Sequence, residues 1–234
     1  MKIALAQINP IVGDINGNAQ KIISIIKNTK SDITVFPELS VAGYVPQDLL
    51  FNKNFLKENM SSLQEIAENT KNKAVIVGFA EMSEDGVYNS AAIISNQQIL
   101  KICRKICLPN YSIFDDKRWF REGNEAAVIE LNGKKIGINI CEDIWFPETA
   151  KGQKQKGAQL IINISASPYR KGKIEAIEGI LRQRWMENKI PIIYVNQVGG
   201  QDGIVYYGHS MYFKDGKIIS KCRDFEEDIM IVEV

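Results

Sequence analysis

Three side chains in this sequence have the types that nucleophilic amide chemistry needs: Cys141, Glu38 and Lys105. Cys141 follows Ile136, Ile138 and Ile140, which alternate with small or polar residues as in a half-buried strand. Buried free cysteine is also common in cores, so Cys141 alone can be packing or chemistry. Glu38 follows the apolar run Ile33 to Phe36 and a proline, which suits a strand end. Lys105 closes the run Gln98–Lys105, just before the turn signal Pro109–Asn110. Far apart in sequence, each of the three stands at or just beyond the C-terminal end of a strand-like run. In sheets with helices on their faces, sites are built there.

A neutral thiol is a poor nucleophile, and at an ordinary pKa only a small fraction is thiolate at neutral pH. Glu38 can remove that proton as general base if the two side chains meet. Lys105 offers a fixed positive charge to a developing oxyanion, and the backbone N–H after Cys141 is the second donor expected. Other chemistries lack their parts. The only histidine, His209, has no acid in a motif-like context beside it, so it reads as structural or surface-lying rather than as a cysteine or serine partner. No histidine-rich zinc set and no GxxxxGK[ST] phosphate loop are present, and no metal site is expected.

The positioning elements follow from periodicity. Ile3–Gln7, Ile33–Phe36, Ala74–Gly78, Val87–Ser95 and Gln98–Lys105 read as strands, with helices over Asn16–Lys30 and Met60–Thr70. Tyr44 to Phe55 reads as a loop with short helical pieces, and Leu108 to Phe120 as a loop. Asn132–Gly133 and Asp215–Gly216 mark hairpins. Pro147–Gly157 and Lys173–Asn188 read as helices. Ala158–Asn163, Pro191–Asn196, Tyr206–Phe213 and Ile229–Val234 read as strands. The opening β-α-β order implies helices layered on sheet.

In these contexts Glu38, Lys105 and Cys141 resemble the Glu-Lys-Cys triad of the nitrilase (carbon–nitrogen hydrolase) superfamily. The similarity is closer to the glutaminase domain of glutamine-dependent NAD synthetases. It rests on Ala6–Pro10 with Val12–Asp14, Phe36–Leu39 with Gly43–Tyr44, Arg104–Lys105 with Leu108–Tyr111, Cys141–Trp145, Ser165–Tyr169 and Asn196–Gly200. The resemblance implies an α/β fold, a four-layer α-β-β-α sandwich, formed by residues 1–234 as one domain. It implies hydrolysis of L-glutamine through a thioester, the ammonia passing to NAD(+) synthesis from deamido-NAD. Tyr44, Tyr111, Glu142, Ser167 and Lys173 match positions that bind or frame glutamine. Asp116 aligns with a second acid of the superfamily, where a glutamate is common. It is one methylene shorter, and its alternative reading is a loop acid paired with a local cation at the surface. Gly203 and Tyr207 depart from the acids expected in close relatives.

The SGGxDS loop that binds ATP pyrophosphate in NAD synthetases is absent. This chain is therefore expected to need no cofactor, ATP and Mg belonging to a separate or removed synthetase domain, which would be its partner. The resemblance also implies a homo-oligomer, and because free ammonia is toxic and wasteful, low basal activity without that partner is expected. A stand-alone amidase acting on another small amide or an N-carbamoyl amine, and a catalytically silent regulator of a synthetase, are the alternatives. Lys+Arg and Asp+Glu number 29 and 28, so no nucleic-acid or anionic-membrane partner is indicated. No run approaches the ~20 apolar residues of a membrane span. The four cysteines form no CxxC pair, and reduced thiols in the cytoplasm are expected.

Overall fold

The structure, a computed structural model, describes residues 1–234. The first half of the chain forms β1 (Lys2–Gln7), α1 (Ile15–Asn28), β2 (Ile33–Val35), α2 (Lys53–Glu68), β3 (Ala74–Ser83), β4 (Gly86–Ser95) and β5 (Gln98–Arg104). A one-turn α3 (Asp116–Trp119) leads into β6 (Val128–Leu131), β7 (Lys134–Ile140), α4 (Pro147–Gln155), β8 (Leu160–Ser165), α5 (Lys173–Asn188) and β9 (Ile192–Asn196). The chain closes with β10 (Val198–Gln201), β11 (Ile204–Tyr207), β12 (Met211–Lys214), β13 (Lys217–Lys221) and β14 (Asp228–Glu233).

Two six-stranded sheets result, in the orders β14-β1-β2-β3-β4-β5 and β13-β12-β9-β8-β7-β6. Strands β1, β2 and β3 run parallel, as do β7, β8 and β9. Alternation along the strands sorts the apolar residues into three cores. Ile3, Leu5, Ile33 and Val35 of one sheet meet Ile136, Ile138, Ile140, Ile162 and Ile164 of the other in the middle layer. Ile15, Ala19, Ile22, Ile23 and Ile26 recur at helical spacing on α1 and pack outside the first sheet together with α2. Ile177 and Leu181 of α5 join Ile161, Ile192 and Phe213 outside the second sheet. Helix, sheet, sheet and helix thus stack in four layers, as expected.

Several boundaries differ from the sequence reading, for local reasons. Helix α2 starts at Lys53 rather than Met60, because Asn52 caps it by accepting from the N–H groups of Asn54 and Phe55. Strand β3 runs five residues past Gly78, to Ser83. The expected strand Tyr206–Phe213 is two strands: β11 pairs with β10, and β12 with β9. The chain turns at Gly208 and His209, with φ of +69° and +61°. The buried amide of Gln7 causes this break. Its Oε1 accepts from Ser210 N–H at 2.9 Å, and its Nε2 donates to the carbonyls of Arg223 and Glu226 at 2.6 and 2.8 Å. A Cβ on Gly208 would collide with it.

Gly78 has a comparable duty. Its N–H donates to Pro37 O at 3.2 Å, its carbonyl accepts from Val41 N–H at 3.1 Å, and a Cβ there would stand 2.5 Å from Pro37 O. The segment carrying Glu38 therefore lies directly on the β3 backbone. Gly78→Ala is expected to destabilise the fold by about 1–3 kcal/mol through overpacking, read from the urea midpoint. An unchanged midpoint would show that the segment yields freely.

Candidate active site

Strands from the parallel centre of each sheet, together with the edge strand β5, deliver their C-terminal ends to one rim. Glu38 follows β2, Lys105 follows β5, Cys141 follows β7, and Ala166 and Ser167 follow β8. Glu38, Lys105 and Cys141 are all buried. Lys105 Nζ donates to Glu38 Oε1 at 2.7 Å and to Asp116 Oδ2 at 2.8 Å. Burial alone would pull the ammonium pKa down, but Asp116 and Glu38 outweigh it and hold Lys105 well above its ordinary value. Glu38 is further fixed by Asn89 Nδ2 at 2.7 Å and by the Ala166 N–H, which donates to Oε2 at 2.8 Å. One carboxylate thus takes bonds from both sheets.

Cys141 opens a 3-10 turn, Cys141–Trp145, with φ at +46°. A non-glycine residue held in the left-handed region is strained, and such strain collects at functional positions. Burial pushes its thiol well above the ordinary value; Glu38 adds to the rise and Lys105 opposes it. These surroundings favour the neutral thiol over the thiolate. The other three cysteines are free, with no disulfide among them.

The remaining sequence candidates fall into two groups. Asp116 is buried against Lys105, which corrects the surface-pair reading: the one-turn α3 brings the shorter side chain inward, and its N–H is anchored to Pro109 O. Tyr44 is buried, with its hydroxyl donating to Asp116 Oδ1 at 3.2 Å. Burial first, then Asp116, raises its phenol pKa. Nearer the surface, Tyr111 OH donates to Glu142 at 2.9 Å. Lys173, at the start of α5, is 7 % exposed and has its ammonium 4.1 Å from the centre of the Trp145 ring. It takes part in none of the ion pairs of the structure, and burial lowers its pKa. The N–H of buried Ser167 donates to Asn196 Oδ1 at 2.7 Å.

Two surface hollows flank Tyr111. One, of about 490 Å³, is lined by Cys107, Leu108, Pro109, Glu142 and Phe146 among others; the second, of about 320 Å³, by Phe114, Tyr169, Arg170, Lys173 and Gly203. The first is bordered by Ile106 and Glu142, immediate chain neighbours of Lys105 and Cys141. Tyr207, the other departure from expected acids, is buried beside Tyr194.

His209 lies outside this constellation. It is buried, with Nδ1 2.7 Å from Asp224 and Nε2 3.0 Å from Glu178. Two acids do stand beside it, contrary to the sequence reading, one from α5 and one from the C-terminal segment. Both ring nitrogens are thereby occupied, which keeps its role structural. Sequence reasoning missed Asn89, Asp143 and the Ala166 N–H. An asparagine inside an apolar strand run is the one signal that could have found Asn89, since asparagine is depleted in strands. No cluster of three or more His, Cys, Asp or Glu side chains is placed to hold a metal.

With the geometry in view, the chain belongs to the carbon–nitrogen hydrolase family, which it matches over residues 2–234. Its similarity is to one part of larger enzymes. It is 43% identical over 237 residues to the glutamine-dependent NAD(+) synthetase of Aquifex aeolicus, covering 99% of this chain and 42% of that protein. With the Thermotoga maritima enzyme of the same name the identity is 40% over 242 residues, covering 100% and 42%. The glutamine-dependent NAD+ synthetase structure from Acinetobacter baumannii superposes with a TM-score of 0.94 at 38% identity, covering 98% of this chain and 44% of that one. The chain thus spans somewhat under half the length of these relatives. A Nesterenkonia amidase of the nitrilase superfamily superposes at a TM-score of 0.89 with 22% identity, covering 100% and 90%, and shares the fold.

The raised thiol pKa has a direct readout. Iodoacetamide labelling of Cys141, followed by peptide mass, is expected to be slow and nearly level from about pH 6 to 8, where Glu38 takes the proton as sulfur is alkylated, and to climb above about pH 8 as free thiolate forms. A rate that is fast and level through about pH 9 would reveal a preformed thiolate.

Proposed function

We propose that this domain hydrolyses the side-chain amide of L-glutamine and hands the ammonia to an ATP-dependent synthetase that amidates deamido-NAD. The observation that carries the reading is the buried meeting of Glu38 and Lys105 at the rim where Cys141 stands. The similarity to glutamine-dependent NAD synthetases supports the choice of substrate. Glu38 takes the Cys141 proton as sulfur bonds to the amide carbon. The carbonyl oxygen gains charge and is met by the Lys105 ammonium and the Glu142 N–H. Glu38 returns the proton to nitrogen, the C–N bond breaks, and ammonia leaves a thioester on Cys141. Water then attacks the thioester, giving its proton to Glu38, and the thiol and glutamate are regenerated.

Lys173 suits the substrate α-carboxylate, being a buried ammonium without a carboxylate partner beside an open hollow. Glu142, with Tyr111 on it, suits the α-ammonium. Asp116 and Tyr44 hold Lys105 in place rather than touch substrate. ATP and Mg belong to the synthetase partner, and cytoplasmic NAD synthesis is the setting. Homo-oligomers fit the same reading.

The test is ammonia release from L-glutamine by the purified chain, alone and with a synthetase domain added, with intact mass for a glutamyl thioester. Wild type is expected to give both, more rapidly with the synthetase, and Cys141→Ala neither. Turnover surviving in Cys141→Ala would overturn the mechanism. Turnover of other small amides but not glutamine would overturn the substrate. Lys173→Ala is expected to raise KM by about tenfold or more while kcat falls less, as for a contact made equally in ground and transition states.

A further inference from the structure

Asp143 is two residues beyond the nucleophile, and the reaction just described gives it no task. Its side chain is nonetheless buried and fully engaged. Oδ2 accepts from Ile140 N–H at 2.9 Å. Oδ1 accepts from Cys107 N–H at 2.8 Å and from Ile106 N–H at 3.1 Å. Ile140 ends β7 and directly precedes Cys141; Ile106 and Cys107 directly follow Lys105. The two segments come from opposite sheets, and no ladder pairs them. One carboxylate therefore ties the backbone leading into the nucleophile to the backbone leaving the lysine.

We infer that Asp143 is a positioning residue, which fixes the Cys141 turn against the Lys105 segment so that thiol and ammonium address the same carbonyl group. The inference rests on the hydrolytic reading above. The geometry favours it over simple packing, because all three accepted bonds go to backbone within one residue, or two, of the reacting side chains. Hydrogen bonds from N–H to a carboxylate are among the stronger ones. Each N–H left unpaired in the interior is costly, so the site relaxes if Asp143 is lost.

Asp143→Asn keeps size and one acceptor oxygen but turns an NH2 group toward one of the N–H donors. Asp143→Glu keeps the charge and displaces it by one methylene. Both are compared with wild type in glutamine hydrolysis, with active sites counted by the thioester formed in the first turnover. A 1 Å misplacement in a reacting constellation costs on the order of 100-fold, and kcat per counted site is expected to fall by about that factor in both variants. KM is expected to move less than about threefold. Cys141 labelling by iodoacetamide at pH 7.5 (a readout needing no amide substrate) is expected to slow by about tenfold as Glu38 and the thiol lose alignment.

Unchanged kcat per counted site, with the loss confined to melting temperature or to the number of sites, would overturn the inference and leave Asp143 a packing residue. Should wild type not hydrolyse glutamine, the proposed function fails and the labelling rate decides for Asp143. Slowed Cys141 labelling in folded Asp143→Asn or Asp143→Glu upholds the positioning role; an unchanged or faster rate refutes it.

Discussion

A lysine ammonium sealed from water has to be neutralised where it sits, and the site is arranged around that demand. Removing an ion from water costs several kcal/mol even after relaxation. Lys105 meets the cost with two carboxylates, Glu38 and Asp116, each within 2.8 Å. Those acids are in turn held by groups that cannot move independently. Asn89 sits on β4, paired on both sides, the Ala166 N–H belongs to the opposite sheet, and Tyr44 is wedged against Tyr206 with ring centroids 6.4 Å apart. The charge of one side chain is thus balanced by contributions from both halves of the domain.

The sandwich makes such balance possible. Two sheets facing across an apolar layer have no ladder between them, and within that layer they are held by packing, which is non-directional. Directional bonds between sheets concentrate at the rim that holds the site. Glu38 reaches Ala166, Asp143 reaches Ile106 and Cys107, and Gln7 reaches Ser210. The apolar layer brings the sheets together; the polar bridges fix their alignment where it matters.

The legible part of this design is what leaves a local trace. The Ile136–Ile140 alternation, the run before Pro37, and the turn signals Asn132–Gly133 and Asp215–Gly216 each act through near neighbours, and all correspond to observed strands and hairpins. What escaped reading depends on distant chain. Gly78 resembles a strand end, yet it is a strand interior pressed by Pro37 and Leu39. Tyr206–Phe213 reads as one apolar strand, because the amide that breaks it is Gln7, some two hundred residues earlier. Asp116 is placed near the site only by the resemblance, since the loop charges around it say nothing local of an inward turn. Asp143 sits between a glutamate and an isoleucine, and two of its three donors, Ile106 and Cys107, follow a strand of the other sheet. Pattern reveals which residues lie at the rim, whereas the bonds among them are set by three-dimensional closure.

The pairing of two acids with one ammonium also bears on what happens after bond cleavage. Glu38, Asp116 and Lys105 together leave an excess of one negative charge whenever both acids are ionised. In the proposed hydrolysis, the product would be a third carboxylate in the same low-dielectric space. The uncharged amide group of the proposed substrate meets no such repulsion. The asymmetry weakens the hold on product relative to substrate, so the resting charge of the centre would hasten release of acid without altering the equilibrium of the reaction.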